Sequence, residues 1–253
     1  MPLKESEALV LRSQPLGESD RLVVFLTRSA GKIRGVAKGA RRSRRRFGSN
    51  LELLSRVRLS WVEREGVDLA RVEGAELLES FYDLQGDPER GAVLACFAEI
   101  ADAFAREQQE DEAFFRLLHA ILRAVREGLD LDWAGRYFEI WTLRLHGVLP
   151  SLTVCARCGS GLRGRGARYD RREGAPLCAR CSPNAGPGDL ALPPGALAAA
   201  EEILKQPPTA FLGRAASGAD LRWLGAFAEG LFLDLTERRL RSYEVLRALR
   251  GMA

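Results

Sequence analysis

The stretch ALVLRSQPLGESDRLVVFLTRSAGKIRGVAK (Ala8–Lys38) decides the fold. It holds three β-rich runs, Ala8–Ser13, Arg21–Thr27 and Lys32–Lys38. Turn signals at Pro15–Gly17 and Ser29–Gly31 separate them. Two more runs follow, Val57–Val62 and Leu69–Glu76, with Glu65–Gly66 as the turn. Five short strands with no helix between them predict a small closed barrel, because closure removes exposed sheet edges. The OB-fold is the commonest five-stranded case, and OB-folds often bind single strands.

The last of the three runs leads into KGARRSRRRF (Lys38–Phe47), where five arginines fill six positions. Such a cluster repels itself unless an anion lies among the charges. Phosphates suit it, because a guanidinium fork donates two parallel hydrogen bonds. Strand side chains alternate, so Lys32, Arg34 and Lys38 share one face and Ile33, Gly35 and Ala37 the other. That basic face is expected to run on into Arg41, Arg42, Arg44, Arg45 and Arg46 as one track for a phosphate backbone. Phe47 is a candidate for stacking on a base. Trp61 alternates with Val57 and Leu59 and belongs to the core, as does Phe25. The other readings of the arginine run are a solvated loop and a contact with an acidic protein.

Helical periodicity begins at Asp87-Pro88, an N-cap followed by proline at the first helical position. Val93, Phe97, Ile100 and Phe104 form one stripe, with Cys96 inside it as a small core residue. Phe114 to Val125 and Trp133 to Leu145 form two more, closed by Gly128 and Gly147. The pattern stops at Pro150, resumes over Leu197–Lys205, and returns from about Asp220 to Arg250. The predicted class is α+β: a barrel over residues 1–80, a helical domain over 81–150 and 194–253, and an insertion at 151–193.

The insertion has almost no large apolar residues, so a segment of about 40 residues needs a staple. Cys155-x-x-Cys158 and Cys178-x-x-Cys181 supply one. Two tight turns that each aim two sulfurs at one ion complete the tetrahedron of a structural Zn2+ site with no open position for water. The other readings are two disulfides, a redox motif and four unrelated thiols. Arg157, Arg163, Arg165, Arg168, Arg171, Arg172 and Arg180 of the insertion offset part of the −2 charge of a four-thiolate zinc centre, and the remainder are read either as a nucleic-acid contact or as ordinary surface arginines.

Charge is uneven along the chain. Residues 1–80 carry 16 Lys/Arg against 11 Asp/Glu, 81–150 carry 7 against 13, and 151–253 carry 15 against 10. Two basic ends around an acidic middle point to a polyanion partner. The chain shows no signal peptide and no run of the roughly 18 apolar residues a membrane span needs. A cytosolic protein with no membrane partner is expected. There is no phosphate-binding glycine loop followed by Lys, no G-x-S-x-G elbow, and no nucleophile with its base. His119 and His146 lie in helical context and read as satisfied helix residues. An enzyme is not expected.

The stretches Ala8–Ile33 and GVAKGARRSRRRFGSNLELL (Gly35–Leu54) resemble the N-terminal domain of the bacterial recombination mediator family RecO. The cysteine pairs are similar to the zinc site of some members, and LRSYEVLRAL (Leu240–Leu249) is similar to the family's last helix. Length and element order agree across the whole chain. The resemblance implies an OB-fold followed by a helical domain with a zinc knuckle. It also implies binding of single- and double-stranded DNA, strand annealing, and placement of RecA on gapped DNA. The partners it implies are RecR and the single-stranded DNA-binding protein, whose acidic tail binds the helical region. DNA contact carries over to Lys38, Arg41, Arg42, Arg44, Arg45 and Arg46. A cytoplasmic, nucleoid-associated bacterial protein is expected. Two other functions compete: an adaptor whose basic loop meets an acidic protein, and a zinc hydrolase.

Overall fold

The computed structural model describes residues 2–42, 47–48, 50–184, 186–215 and 218–251. They fall into two compact units, one built from Met1–Leu122 with Leu240–Ala253, the other from Arg123–Arg239.

In the first unit all five expected strands form, most of them longer than their sequence signals. They are β1 (Lys4–Leu16), β2 (Asp20–Thr27), β3 (Gly31–Ala37), β4 (Arg56–Arg64) and β5 (Val67–Glu79). They close into an OB-like barrel in the order β1-β2-β3-β5-β4. All pairings are antiparallel except the closing one, where Gly35–Ala37 of β3 runs parallel to Ala70–Val72 of β5. Closure needs Gly35, because a Cβ there would lie 2.8 Å from Val72 Cγ2 and 3.0 Å from the Ala70 carbonyl oxygen. Alternation fills the interior: Val23, Phe25, Ile33, Ala37, Val57, Leu59, Trp61 and Val72 pack in one core. Phe47 belongs to the same core.

The outer faces of β1 and β2 carry Leu9, Leu26 and Val24, which are also buried, because helix α1 (Pro88–Phe104) packs over these strands. The Asp87 side chain accepts from the Arg90 N–H at 2.7 Å, and Pro88 opens α1, as the sequence predicts. Helix α2 (Glu112–Arg126) follows. Cys96 is buried in α1.

The second unit gathers helices α3 (Leu131–Leu145), α4 (Pro194–Ile203) and α5 (Gly218–Thr236). With them is a small sheet, β6 (Ala167–Asp170) between β7 (Ala175–Leu177) and β8 (Leu190–Leu192). The ring of Tyr169 meets Phe227 edge-on at 5.4 Å, and Arg171 pairs with Asp234 at 2.8 Å, so the sheet is fastened to α5. The helical pattern read from 220 to 250 is in fact two helices. It breaks after Thr236, where Glu237 takes φ +55°, and α6 (Arg241–Leu249) belongs to the first unit. There the Glu99 carboxylate accepts from the Ser242 N–H at 2.8 Å and the Arg241 N–H at 3.1 Å, completing the first turn of α6. No helix of the described residues is long and apolar enough to cross a membrane.

Candidate nucleic-acid interface and metal centre

The arginine loop springs from the end of β3, and both of its ends are pinned. At the near end, Gly39 adopts φ +67° and donates its N–H to the Asp20 carboxylate at 2.8 Å. Arg41 donates its own N–H to the Ser19 carbonyl at 3.0 Å. Its guanidinium reaches the Glu18 carbonyl at 3.1 Å, so it lies on the β1–β2 turn. Arg42 is 75% exposed, with only a 3.9 Å approach to Glu18. Lys38 is exposed. At the far end, Phe47 is fully buried, and Asn50 donates to the Ala75 carbonyl at 2.7 Å. Phe47 is therefore a plug in the barrel and not a base-stacking platform; the loop returns to the barrel at that residue. Arg44, Arg45 and Arg46 lie outside the described residues.

The alternation on β3 is as expected, with Gly31, Ile33, Gly35 and Ala37 buried. The other face does not run on as an open track. Lys32 Nζ donates to the Asp102 carbonyl at 2.7 Å and lies 3.5 Å from its carboxylate. Arg34 pairs with Glu107 at 2.9 Å. Lys32 and Arg34 are thus matched to carboxylates of this chain, whereas Lys38, Arg41 and Arg42 gather at the base of the loop. Sequence reading missed Asp102 and Glu107, which stand 70 and 73 residues from the cations they meet. It also missed Asp20 as the anchor of the loop, although a Ser-Asp pair opening a strand after Gly17 is a local signal for it.

The four cysteines come together. Around the first pair, Cys155 donates its N–H to the Ser160 carbonyl at 2.8 Å and Gly159 donates to the Cys155 carbonyl at 2.9 Å. Gly159 takes φ +71°, which this knuckle requires. Around the second pair, Cys181 and Ser182 both donate to the Cys178 carbonyl, at 2.9 and 3.0 Å. A bond from Ala156 N–H to the Pro176 carbonyl at 3.0 Å joins the two knuckles. All four Sγ atoms lie within 4.8 Å of one another, and none is in a disulfide. Cys155 and Cys178 are buried, and Cys158 is exposed.

The Cys181 N–H, assisted by the Ser160 hydroxyl, holds the Cys178 thiol down to about 6. The Cys158 sulfur pushes Cys181 up to about 12. Crowded sulfurs cannot all ionise without a cation among them. Four sulfur donors at these distances suit a structural metal, and they fill a tetrahedron.

Three arginines of this region are matched within the second unit: Arg157 by Glu173, Arg163 by Glu201 and Arg171 by Asp234. Beside them lies a cavity of about 750 Å³. Trp141, Leu149, Leu152 and Leu197 line it, with Arg144 and Lys205 among its cations. Its lining comes from α3, the segment after it and α4, so no local pattern announced it. Each histidine ring engages a group of this chain through one nitrogen. His119 Nε2 lies 2.7 Å from Glu79, and His146 Nδ1 lies 2.8 Å from the Thr142 carbonyl.

Comparison with known families follows the same division as the strands and helices. The model described as Recombination protein O N terminal matches residues 1–81, and Recombination protein O C terminal matches residues 85–244. The chain is 41% identical to DNA repair protein RecO of Anaeromyxobacter sp. (strain K) over 191 residues, which covers 76% of this chain and 75% of that one. It is 34% identical to DNA repair protein RecO of Symbiobacterium thermophilum, with 99% of each chain covered. It is 35% identical to DNA repair protein RecO of Rubrobacter xylanophilus, with 87% of each covered. With both halves matched in tandem and one relative aligned over 99% of its length, the chain belongs to the RecO family of DNA repair proteins.

Proposed function

We propose that this chain is a DNA-binding recombination mediator. In this reading it holds single- and double-stranded DNA and anneals complementary strands. With RecR it loads RecA on DNA coated by the single-stranded DNA-binding protein. The observation that carries the reading is the sequence run of Lys38, Arg41, Arg42, Arg44, Arg45 and Arg46, with Gly39 and Asn50 tied to the barrel by Asp20 and the Ala75 carbonyl. Phosphates gather on such a cluster, release their counterions, and lose the mutual repulsion that keeps two strands apart. No bond is made or broken, so the protein is a mediator and not an enzyme.

Zn2+ held by Cys155, Cys158, Cys178 and Cys181 is structural in this account. It gives residues 151–193 the staple that their small core requires. In this reading the acidic tail of the single-stranded DNA-binding protein meets the helical region, and the cavity lined by Trp141, Leu197 and Arg144 is the candidate for it. The protein works in the cytoplasm at the nucleoid and engages no membrane.

An annealing assay tests the reading. Two complementary labelled strands should pair faster with the protein than without it, and variants with alanine at the loop arginines should lose that gain. Annealing and DNA binding that ignore those arginines would defeat the reading. Retention of a protein partner after nuclease treatment, with no DNA binding, would favour the adaptor instead.

A further inference from the structure

The barrel carries a second set of cations, and these are already occupied. Arg12 of β1, Arg28 just after β2, and Lys32 and Arg34 of β3 each meet a carboxylate from residues 102–112. The distances are 3.3 Å for Arg12–Asp102, 3.5 Å for Lys32–Asp102, 2.9 Å for Arg34–Glu107 and 2.6 Å for Arg28–Glu112. Strand register sets Arg12 and Arg34 on either side of Val24, in one row across three strands, with Lys32 two residues along β3.

Between α1 and α2, Arg106–Gln108 of this segment lie along the edge of β3 as a neighbouring strand would. Lys32 donates its N–H to the Arg106 carbonyl at 2.8 Å, and Gln108 donates to the Lys32 carbonyl at 3.4 Å. That edge is free for it because β5 pairs only with Gly35–Ala37. Gly31 makes the approach possible: it has φ +64°, and a Cβ there would overlap the carbonyl oxygen of Gln109. Gln108 itself takes φ +55°, a conformation that side chains other than glycine seldom adopt.

We infer that residues 102–112 are an internal stand-in for a nucleic-acid strand, whose carboxylates Glu107 and Glu112 hold the phosphate positions on Arg34 and Arg28 until single-stranded DNA displaces them. This rests on the DNA-binding reading above and adds a second phosphate site to it. The exposures set which pairs exchange. Arg34 and Glu107 are 40% and 49% exposed, and Arg28 and Glu112 are 49% and 42%, so these pairs face water and hold weakly. Lys32 and Asp102 are only 15% and 20% exposed and keep the segment hinged to the barrel. At rest the segment covers these cations. A strand long enough to leave the loop finds the row of cations by replacing one set of anions with another.

The exchange has a thermodynamic signature. Carboxylates freed by DNA take up cations from solution, which offsets part of the counterion release from the phosphates. Removing those carboxylates removes the offset. The experiment uses the full-length, metal-loaded protein and a labelled oligothymidylate, with anisotropy measured across a salt titration. Glu107→Gln combined with Glu112→Gln should bind several-fold more tightly, with a salt slope steeper by about 1. Glu5→Gln combined with Glu244→Gln makes the same change in net charge at two exposed residues outside the row and should leave the slope unaltered. Amide exchange supplies the second readout: in the wild-type protein the Lys32 and Gln108 amides should lose protection when oligothymidylate is added. Gly31→Ala should expose the Lys32 amide without DNA. Binding and slope equal to the charge-matched control, or Lys32 protection unchanged by DNA, would overturn the inference. Loss of binding in the loop-arginine variants alongside either result would leave the parent reading standing.

Discussion

The carboxylate of Asp20 accepts a hydrogen bond from the backbone N–H of Gly39 at 2.8 Å and so ties the start of the arginine loop to the turn between β1 and β2. The Gly39 N–H, then the Ser19 hydroxyl and the charge of Lys38, hold this carboxyl below the usual aspartate range. A group depressed in the folded state stabilises it above its unfolded pKa, and that contribution fades as pH falls through the folded value. Asp20→Ala should lower the melting temperature by an amount that is constant near neutral pH and shrinks in acid below about pH 4. It should also weaken oligothymidylate binding at neutral pH, because the loop loses its near anchor. A melting-temperature difference that grows on acidification would contradict this.

Phe47 follows the arginines directly, and its burial separates two roles. As a plug of the barrel core it is expected to cost about 3–5 kcal/mol of stability when changed to alanine. Urea unfolding of Phe47→Ala measures that cost. A variant as stable as wild type that loses base stacking would return Phe47 to the DNA.

The four-cysteine cluster is expected to couple folding to metal binding. Cys155→Ser is expected to release zinc and to loosen residues 151–193 while the barrel strands keep their amide protection, because closed four-sulfur sites fold around their ion. Acid should do the same, since protons compete for the thiolates. Metal content by elemental analysis, with four sulfur neighbours by X-ray absorption, checks the site. One bound water at the ion would point toward hydrolytic chemistry instead.

The parts of this molecule written in local pattern were legible before the structure. Alternation at Ile33, Gly35 and Ala37 announced a strand with one buried face, and the two C-x-x-C pairs announced one cluster of four sulfurs. What escaped was written in distant pairs. A row such as Lys32 and Arg34 has the same sequence whether it faces a phosphate or a carboxylate, and Asp102 and Glu107 leave no mark near it. Phe47 read as a loop aromatic because its burial depends on where the loop returns. The amphipathic run from 220 to 250 gave no hint of the break at Glu237, since a left-handed residue between two apolar stripes leaves the periodicity nearly intact.

The account stands on the arginine loop as a phosphate site, and one measurement tests that most directly. Binding of a single-stranded oligonucleotide by the full-length, metal-loaded protein is followed from low to high salt. The comparison is a variant with Arg41, Arg42, Arg44, Arg45 and Arg46 changed to alanine. If about six phosphates are neutralised, the wild-type slope of log K against log salt is about −4, and the variant should bind far more weakly with a slope flattened by about 3. A variant that melts as wild type does and keeps the wild-type affinity and slope would contradict the account at its centre.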